Sequence, residues 1–199
     1  MLKAIVTFIM LTGFCFAAQA VEKLDAKYCV TYGNSEAPVK VVEYFSMNCP
    51  QCLYLFEKEF DYIKRRYINA GQVQWTFHPD PTTIQTLQAM ICLEQLTPRK
   101  KQLFLEDALP KLQGKDPASK TMVLKQIAYK FGVEFPTDDQ IESLKKTDAF
   151  KSAYKFVSQK EGVESVPTVE INGKMYDEMP SAVFMERQFW KILTPKNES

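Results

Sequence analysis

Histidine is nearly absent from this sequence, since His78 is the only one among 199 residues. A Ser–His or Cys–His catalytic arrangement would have to use His78. Its position between a strand-like run and Pro79 predicts a loop residue instead. Structural zinc sites need about four ligands, usually as two close pairs of Cys and His. The sequence has one close cysteine pair and predicts neither a metal site nor another cofactor.

An excess of charge of either sign is also missing. Lys and Arg number 25 against 24 Asp and Glu, and no basic block stands out. This composition indicates no nucleic-acid partner and no attraction to an anionic membrane surface. After the first twenty residues, no apolar run is long enough to cross a bilayer.

The first twenty residues differ in character from the rest of the chain. Lys3 is their only charge, an apolar run extends from residue 4 to 16, and Ala18-Gln19-Ala20 follows. This three-part pattern predicts a secretory signal peptide at residues 1–20, with a buried N-terminal helix as the alternative. We therefore expect an exported protein in an oxidising compartment, where disulfides persist.

The remaining chain alternates between strand-like and helix-like patterns. Residues 21–37 read as a polar leader, and a helical block with one apolar face per helix covers 82–161. Asn172-Gly173 between two strand-like runs predicts a hairpin. The patterns predict four strands, at 39–45, 73–77, 168–171 and 174–176, and further helices from Pro50 and at 180–193. They fit one four-stranded sheet with helices on its faces, beginning with a parallel strand–helix–strand crossover.

Cys49-Pro50-Gln51-Cys52 carries the chemistry of the sequence. Pro50 suits the first position of a helix, which makes Cys49 the N-cap. A thiolate there accepts hydrogen bonds from free backbone N–H groups and faces the positive end of the helix dipole, so its pKa should fall. Cys52 lies one turn further on the same side and should be less exposed. The spacing predicts a redox pair in which Cys49 exchanges with substrate and Cys52 resolves.

The segment Glu43-Tyr44-Phe45-Ser46-Met47-Asn48 before the cysteine pair resembles the active-site segment of DsbA-like thiol–disulfide oxidoreductases. Glu36-Ala37-Pro38-Val39, Val166-Pro167-Thr168 and Ile171-Asn172-Gly173 fit the same family. The resemblance implies an α/β, thioredoxin-like fold with a mixed four-stranded sheet and an inserted helical subdomain. Residues 21–81 would form a leader and the first half of the thioredoxin-like domain, 82–161 the insertion, and 162–199 the second half.

The resemblance also implies roles for particular residues. Pro167 would be the cis-proline facing the disulfide, and Val166 would offer its backbone to an extended substrate peptide. Glu43 would be a buried acid that assists proton transfer near Cys52; the alternative is a solvent-facing strand residue. The oxidases of the family usually have Pro-His between the cysteines, whereas this chain has Pro50-Gln51. Gln51 carries no charge, which leaves the oxidising strength open.

The resemblance implies a periplasmic, monomeric oxidase that introduces disulfides into unfolded or reduced exported proteins. A membrane quinone reductase of the DsbB type would reoxidise it. One alternative is a reductase or isomerase that uses the same chemistry. Another is a peptide-binding or chaperone module on the same fold, which the intact cysteine pair disfavours.

Two further cysteines remain after signal-peptide cleavage, Cys29 in the leader and Cys92 in the helical block. They are candidates for a second, non-catalytic disulfide in an oxidising compartment. The alternative is that each is a small buried apolar residue.

Overall fold

The structure, a computed structural model, describes residues 26–158 and 163–194. The predicted signal peptide at residues 1–20 lies outside the described residues. None of the helices in the described ranges is both long enough and apolar enough to cross a membrane.

A five-stranded mixed sheet forms the centre of the fold, with strand order β1-β3-β2-β4-β5. β2 and β3 are parallel, and the other neighbouring strands are antiparallel. The parallel β2–β3 pair and the Asn172-Gly173 hairpin between β4 and β5 agree with the sequence predictions. The strands are β1 (Val30–Tyr32), β2 (Val39–Phe45), β3 (Val73–Pro79), β4 (Thr168–Ile171) and β5 (Lys174–Tyr176).

The prediction of four strands was wrong by one, because β1 lies within the segment taken for a polar leader. β1 is only three residues long and pairs antiparallel with the edge of β3, with Val30 opposite Phe77. So short a strand has no periodicity to read, and it exists because β3 supplies its hydrogen-bonding partners. Gly33 ends it in a backbone conformation with φ +88°, where an added Cβ would lie 2.4 Å from the Val73 carbonyl oxygen.

The prediction that His78 is a loop residue was also wrong. β3 continues through His78 to Pro79, which lies opposite Phe45 at the end of the strand. The His78 ring is buried, and its centroid lies 4.9 Å from that of Tyr44. Pro79 has no N–H to donate, and the backbone N–H of the next residue, Asp80, donates to the Phe45 carbonyl oxygen at 2.7 Å.

Helices cover the sheet. The first helical segment runs without interruption from α1 (Pro50–Leu55) through π-helical turns at Phe56–Phe60, α2 (Asp61–Ile63) and further π-helical turns at Lys64–Ile68. A short 3-10 helix, Ala26–Tyr28, precedes β1. Between β3 and β4 lie α3 (Ile84–Glu94), α4 (Pro98–Leu112), α5 (Pro117–Phe131), α6 (Asp138–Lys145) and α7 (Asp148–Ser158), and α8 (Ala182–Leu193) follows β5.

The helical insertion and the sheet share one hydrophobic core. Phe56 and Phe60 pack against Phe77 of β3, and Leu105 and Leu124 of the insertion belong to the same cluster. Burial of these apolar side chains is the main force that packs α4 against α1 and α5 against α4. The insertion therefore reaches the end of the sheet where α1 begins.

Candidate active site

Cys49 is the N-cap of α1, as the sequence predicts. Its backbone is extended, with φ −79° and ψ 111°, and Pro50 is the first helical residue. The Cys49 sulfur accepts a hydrogen bond from the backbone N–H of Cys52 at 3.2 Å. The side chain is half-buried, so a substrate sulfur can approach it from solvent.

The surroundings of Cys49 lower its pKa from the usual 9.0 to about 7. The largest cause is a hydrogen bond from the Cys52 thiol, and backbone N–H groups of Cys52 and Gln51 and the charge of Lys120 act in the same direction. Partial burial opposes them. A large fraction of Cys49 is therefore ionised at neutral pH, and the thiolate is the nucleophilic form.

Cys52 has the opposite character. Its side chain is only 2% exposed, and its pKa is raised, first because burial disfavours the thiolate and then because it donates to Cys49. The pair thus consists of an accessible, acidic thiol beside an inaccessible one that holds its proton. This difference suits thiol–disulfide exchange, in which the outer sulfur is attacked and the inner sulfur is released.

Glu43 is buried in the middle of β2, and its side chain does not face solvent. Burial raises the pKa of its carboxyl from 4.5 to about 8. The indole N–H of Trp75 on β3 donates to the carboxyl at 3.0 Å and partly offsets this effect. The negative charge of Glu43 also contributes to the raised pKa of Cys52, so the two groups interact across the core.

The loop before β4 faces Cys49 from the other side of the site. The peptide bond between Val166 and Pro167 is cis, which is the isomer that the family resemblance implies. The Cys49 thiol donates a hydrogen bond to the Val166 carbonyl oxygen at 3.4 Å. Sequence spacing could not show this contact, because 117 positions separate the two residues.

Two residues at the site were missed by sequence reasoning, Trp75 and Lys120. Lys120 lies on α5, and its ammonium donates to the carbonyl oxygen of Met47 at 3.2 Å. A signal existed in the sequence, because Lys120 shares the apolar face of its helix with Leu124 and Ile127. For Trp75, only the strand register shows that its ring lies within reach of Glu43.

Cys29 and Cys92 are both buried, and the structure does not join them in the candidate second disulfide. Cys92 belongs to the main core, and its thiol donates to the Glu134 carbonyl oxygen at 3.9 Å. Cys29 lies near the phenol of Tyr44 instead, where its charge contributes to the raised pKa of that group. The two cysteines therefore occupy different surroundings. Within the described ranges, no three His, Cys, Asp or Glu side chains are grouped to hold a metal.

The sequence matches the thioredoxin family over residues 25–188, and the chain belongs to that family. Its fold resembles those of DsbA-type proteins. BdbD from Bacillus subtilis superposes with a TM-score of 0.61 at 21% identity, over 86% of this chain and 96% of that one. Wolbachia pipientis α-DsbA1 superposes with a TM-score of 0.65 at 17% identity, over 82% and 90% of the two chains.

A curated relative matches a shorter part of the sequence. A Rickettsia prowazekii protein, provisionally named a protein-disulfide oxidoreductase, is 37% identical over 59 residues, which are 30% of this chain. The match spans 22% of the relative's own length.

Proposed function

We propose that the protein is a thiol–disulfide oxidoreductase that introduces disulfides into exported proteins through Cys49 and Cys52. The observation that carries this proposal is the accessible Cys49 sulfur, stabilised as a thiolate at the N-terminus of α1 beside the buried Cys52 thiol. The family match and the name of the curated relative support the same chemistry.

The reaction takes two exchanges. In the oxidised enzyme, a substrate thiolate attacks the Cys49 sulfur, the Cys49–Cys52 bond breaks, and Cys52 leaves and takes up a proton. In this proposal Glu43 supplies that proton, because burial raises the pKa of its carboxyl to about 8 and the group interacts with Cys52. A second substrate thiolate attacks the substrate sulfur of the mixed disulfide and expels the Cys49 thiolate. The substrate gains a disulfide, and the enzyme is left as the dithiol.

The low pKa of Cys49 favours oxidation of the substrate over the reverse reaction. A stabilised Cys49 thiolate is the better leaving group in the second exchange, and it stabilises the reduced enzyme. The Val166 carbonyl oxygen lies 3.4 Å from the Cys49 sulfur, and the proposal places an extended substrate peptide along the Val166 backbone. The proposal includes export to the periplasm, from the pattern of residues 1–20, and reoxidation by a DsbB-type membrane protein.

The test combines a redox equilibrium with disulfide transfer. The protein is equilibrated in glutathione buffers, and the Cys49–Cys52 state is measured after acid quenching and alkylation. A potential nearer to that of a strong oxidase, about −120 mV, than to that of thioredoxin, about −270 mV, would support the proposed oxidase. A thioredoxin-like potential would point to a reductase instead.

Transfer is then measured from the oxidised protein to a reduced, unfolded substrate, with Cys49→Ser as the inactive control. Once Cys49 has been activated with an aromatic disulfide, the Cys52→Ser variant should form a stable mixed disulfide with a substrate that has a single cysteine and so offers no second thiol. Transfer that persists in Cys49→Ser would reject the assignment of the nucleophile.

A further inference from the structure

Lys120 is a buried cation that the inserted helices bring to the active site. Its side chain is 5% exposed, although it carries a charge and lies on α5, 68 residues after Cys52. Its ammonium donates to the carbonyl oxygen of Met47 at 3.2 Å. Met47 is two residues before Cys49, so the charge lies against the loop that carries the reactive thiol.

Polar contacts hold α5 in place beside that loop. The side-chain amide of Asn48 donates to Gln85 on α3 at 2.8 Å. The amide of Gln85 in turn donates to the carbonyl oxygen of Pro117, the first residue of α5, at 3.1 Å. The loop, α3 and α5 are therefore connected next to Lys120, and its position relative to Cys49 does not depend on a flexible surface contact.

Burial of an ammonium is unfavourable unless an anion or several acceptors compensate it. Burial lowers the pKa of Lys120, and Cys49 is the charged group that raises it again. Within the described part of the chain, no carboxylate forms a salt bridge with Lys120. The anion that Lys120 can compensate is therefore the Cys49 thiolate, which exists only in the reduced enzyme.

We propose that Lys120 is a positioning residue that holds the Met47 carbonyl and stabilises the negative charge on Cys49 in the reduced enzyme. This inference rests on the proposed function for its biological meaning. By this proposal the inserted helices help to set the balance between the Cys49–Cys52 disulfide and the dithiol. They bring a cation to Cys49, which the uncharged Gln51 does not supply. Because the disulfide form has no charge on the Cys49 sulfur, Lys120 stabilises the reduced form selectively.

The test uses Lys120→Gln, which removes the charge but keeps an N–H donor for the Met47 carbonyl, together with Lys120→Met. Lys125→Gln is the matched control, because Lys125 is exposed on the same helix. The Cys49 pKa is measured in the reduced full chain from the ultraviolet absorbance of the thiolate. We expect both Lys120 variants to raise it by about 0.5, a smaller effect than that of an ion pair in direct contact. The control should leave it unchanged.

A second readout separates charge stabilisation from a merely structural contact. Unfolding by denaturant is followed for the reduced and oxidised forms of each variant, above and below the Cys49 pKa. Lys120→Gln should destabilise the reduced form more than the oxidised form above about pH 7, and the difference should vanish at lower pH, where Cys49 is protonated. The titratable groups acting on Cys49 in this range are Cys52 on α1, Glu43 on β2 and Lys120 itself.

An unchanged Cys49 pKa in Lys120→Gln would overturn the inference. So would equal destabilisation of both redox forms, since this would make Lys120 a structural contact only. The Lys120→Arg variant should retain most of the lowering of the Cys49 pKa that Lys120 provides. Titration of Cys49 does not require disulfide donation, so failure of the wild-type protein to oxidise substrates would reject the proposed function and leave this result standing.

Discussion

Replacement of Glu43 by glutamine should stabilise the protein at neutral pH. Burial raises the pKa of this carboxyl from 4.5 to about 8. An acid whose pKa rises on folding binds its proton more tightly in the folded state. The contribution of Glu43 to the stability of the fold is therefore fully present below about pH 4.5 and is lost progressively as the pH rises to about 8. Each pH unit in this interval costs about 1.4 kcal/mol, so near pH 7 the carboxyl costs about 3 kcal/mol.

Glutamine cannot ionise, and its amide oxygen can still accept the Trp75 hydrogen bond. We therefore expect Glu43→Gln to unfold with a free energy about 2 to 3 kcal/mol larger than wild type near pH 7. The advantage should shrink towards zero near pH 4.5, where the wild-type carboxyl is neutral in both states.

The assay is denaturant unfolding of the oxidised protein, in which Cys49 and Cys52 cannot titrate. Glu36→Gln is the control, because Glu36 is exposed in the loop before β2, and it should follow the wild-type curve. A stability difference that is the same at every pH would refute the reasoning, since a packing effect does not follow the ionisation of the carboxyl. If Glu43 supplies protons to Cys52, the same variant should also slow disulfide transfer.

Three further results are expected. Alkylation of the reduced native protein should modify Cys49 with half its maximal rate near pH 7 and Cys52 only after unfolding; faster modification of Cys52 would reverse the assigned roles. Gln51→His should lower the Cys49 pKa further and make the disulfide more oxidising, because an imidazolium favours the thiolate, and titration of the variant measures this directly. Mass spectrometry of the oxidised, denatured protein should find two free thiols, at Cys29 and Cys92, whereas none would mean that the two are bridged.

Local sequence determined the elements and the reactive pair. Enrichment in β-branched and aromatic residues identified β2, helical spacing of apolar residues identified the helical block, and Asn172-Gly173 identified the β4–β5 hairpin. The different roles of Cys49 and Cys52 could also be predicted from the local sequence. Pro50 starts a helix, and this places Cys49 at the N-cap and Cys52 one turn later, so the difference between the two thiols follows from positions three residues apart.

Tertiary structure decided what depends on residues far apart in the chain. β1 is too short to show a pattern and forms only because it pairs with β3, and His78 is buried only because that strand continues past it. The burial of Glu43, its bond to Trp75 and the approach of Lys120 to Cys49 arise where the sheet, α1 and α5 meet. Desolvation and charge–charge interaction depend on distance in space, which periodicity along the sequence does not encode.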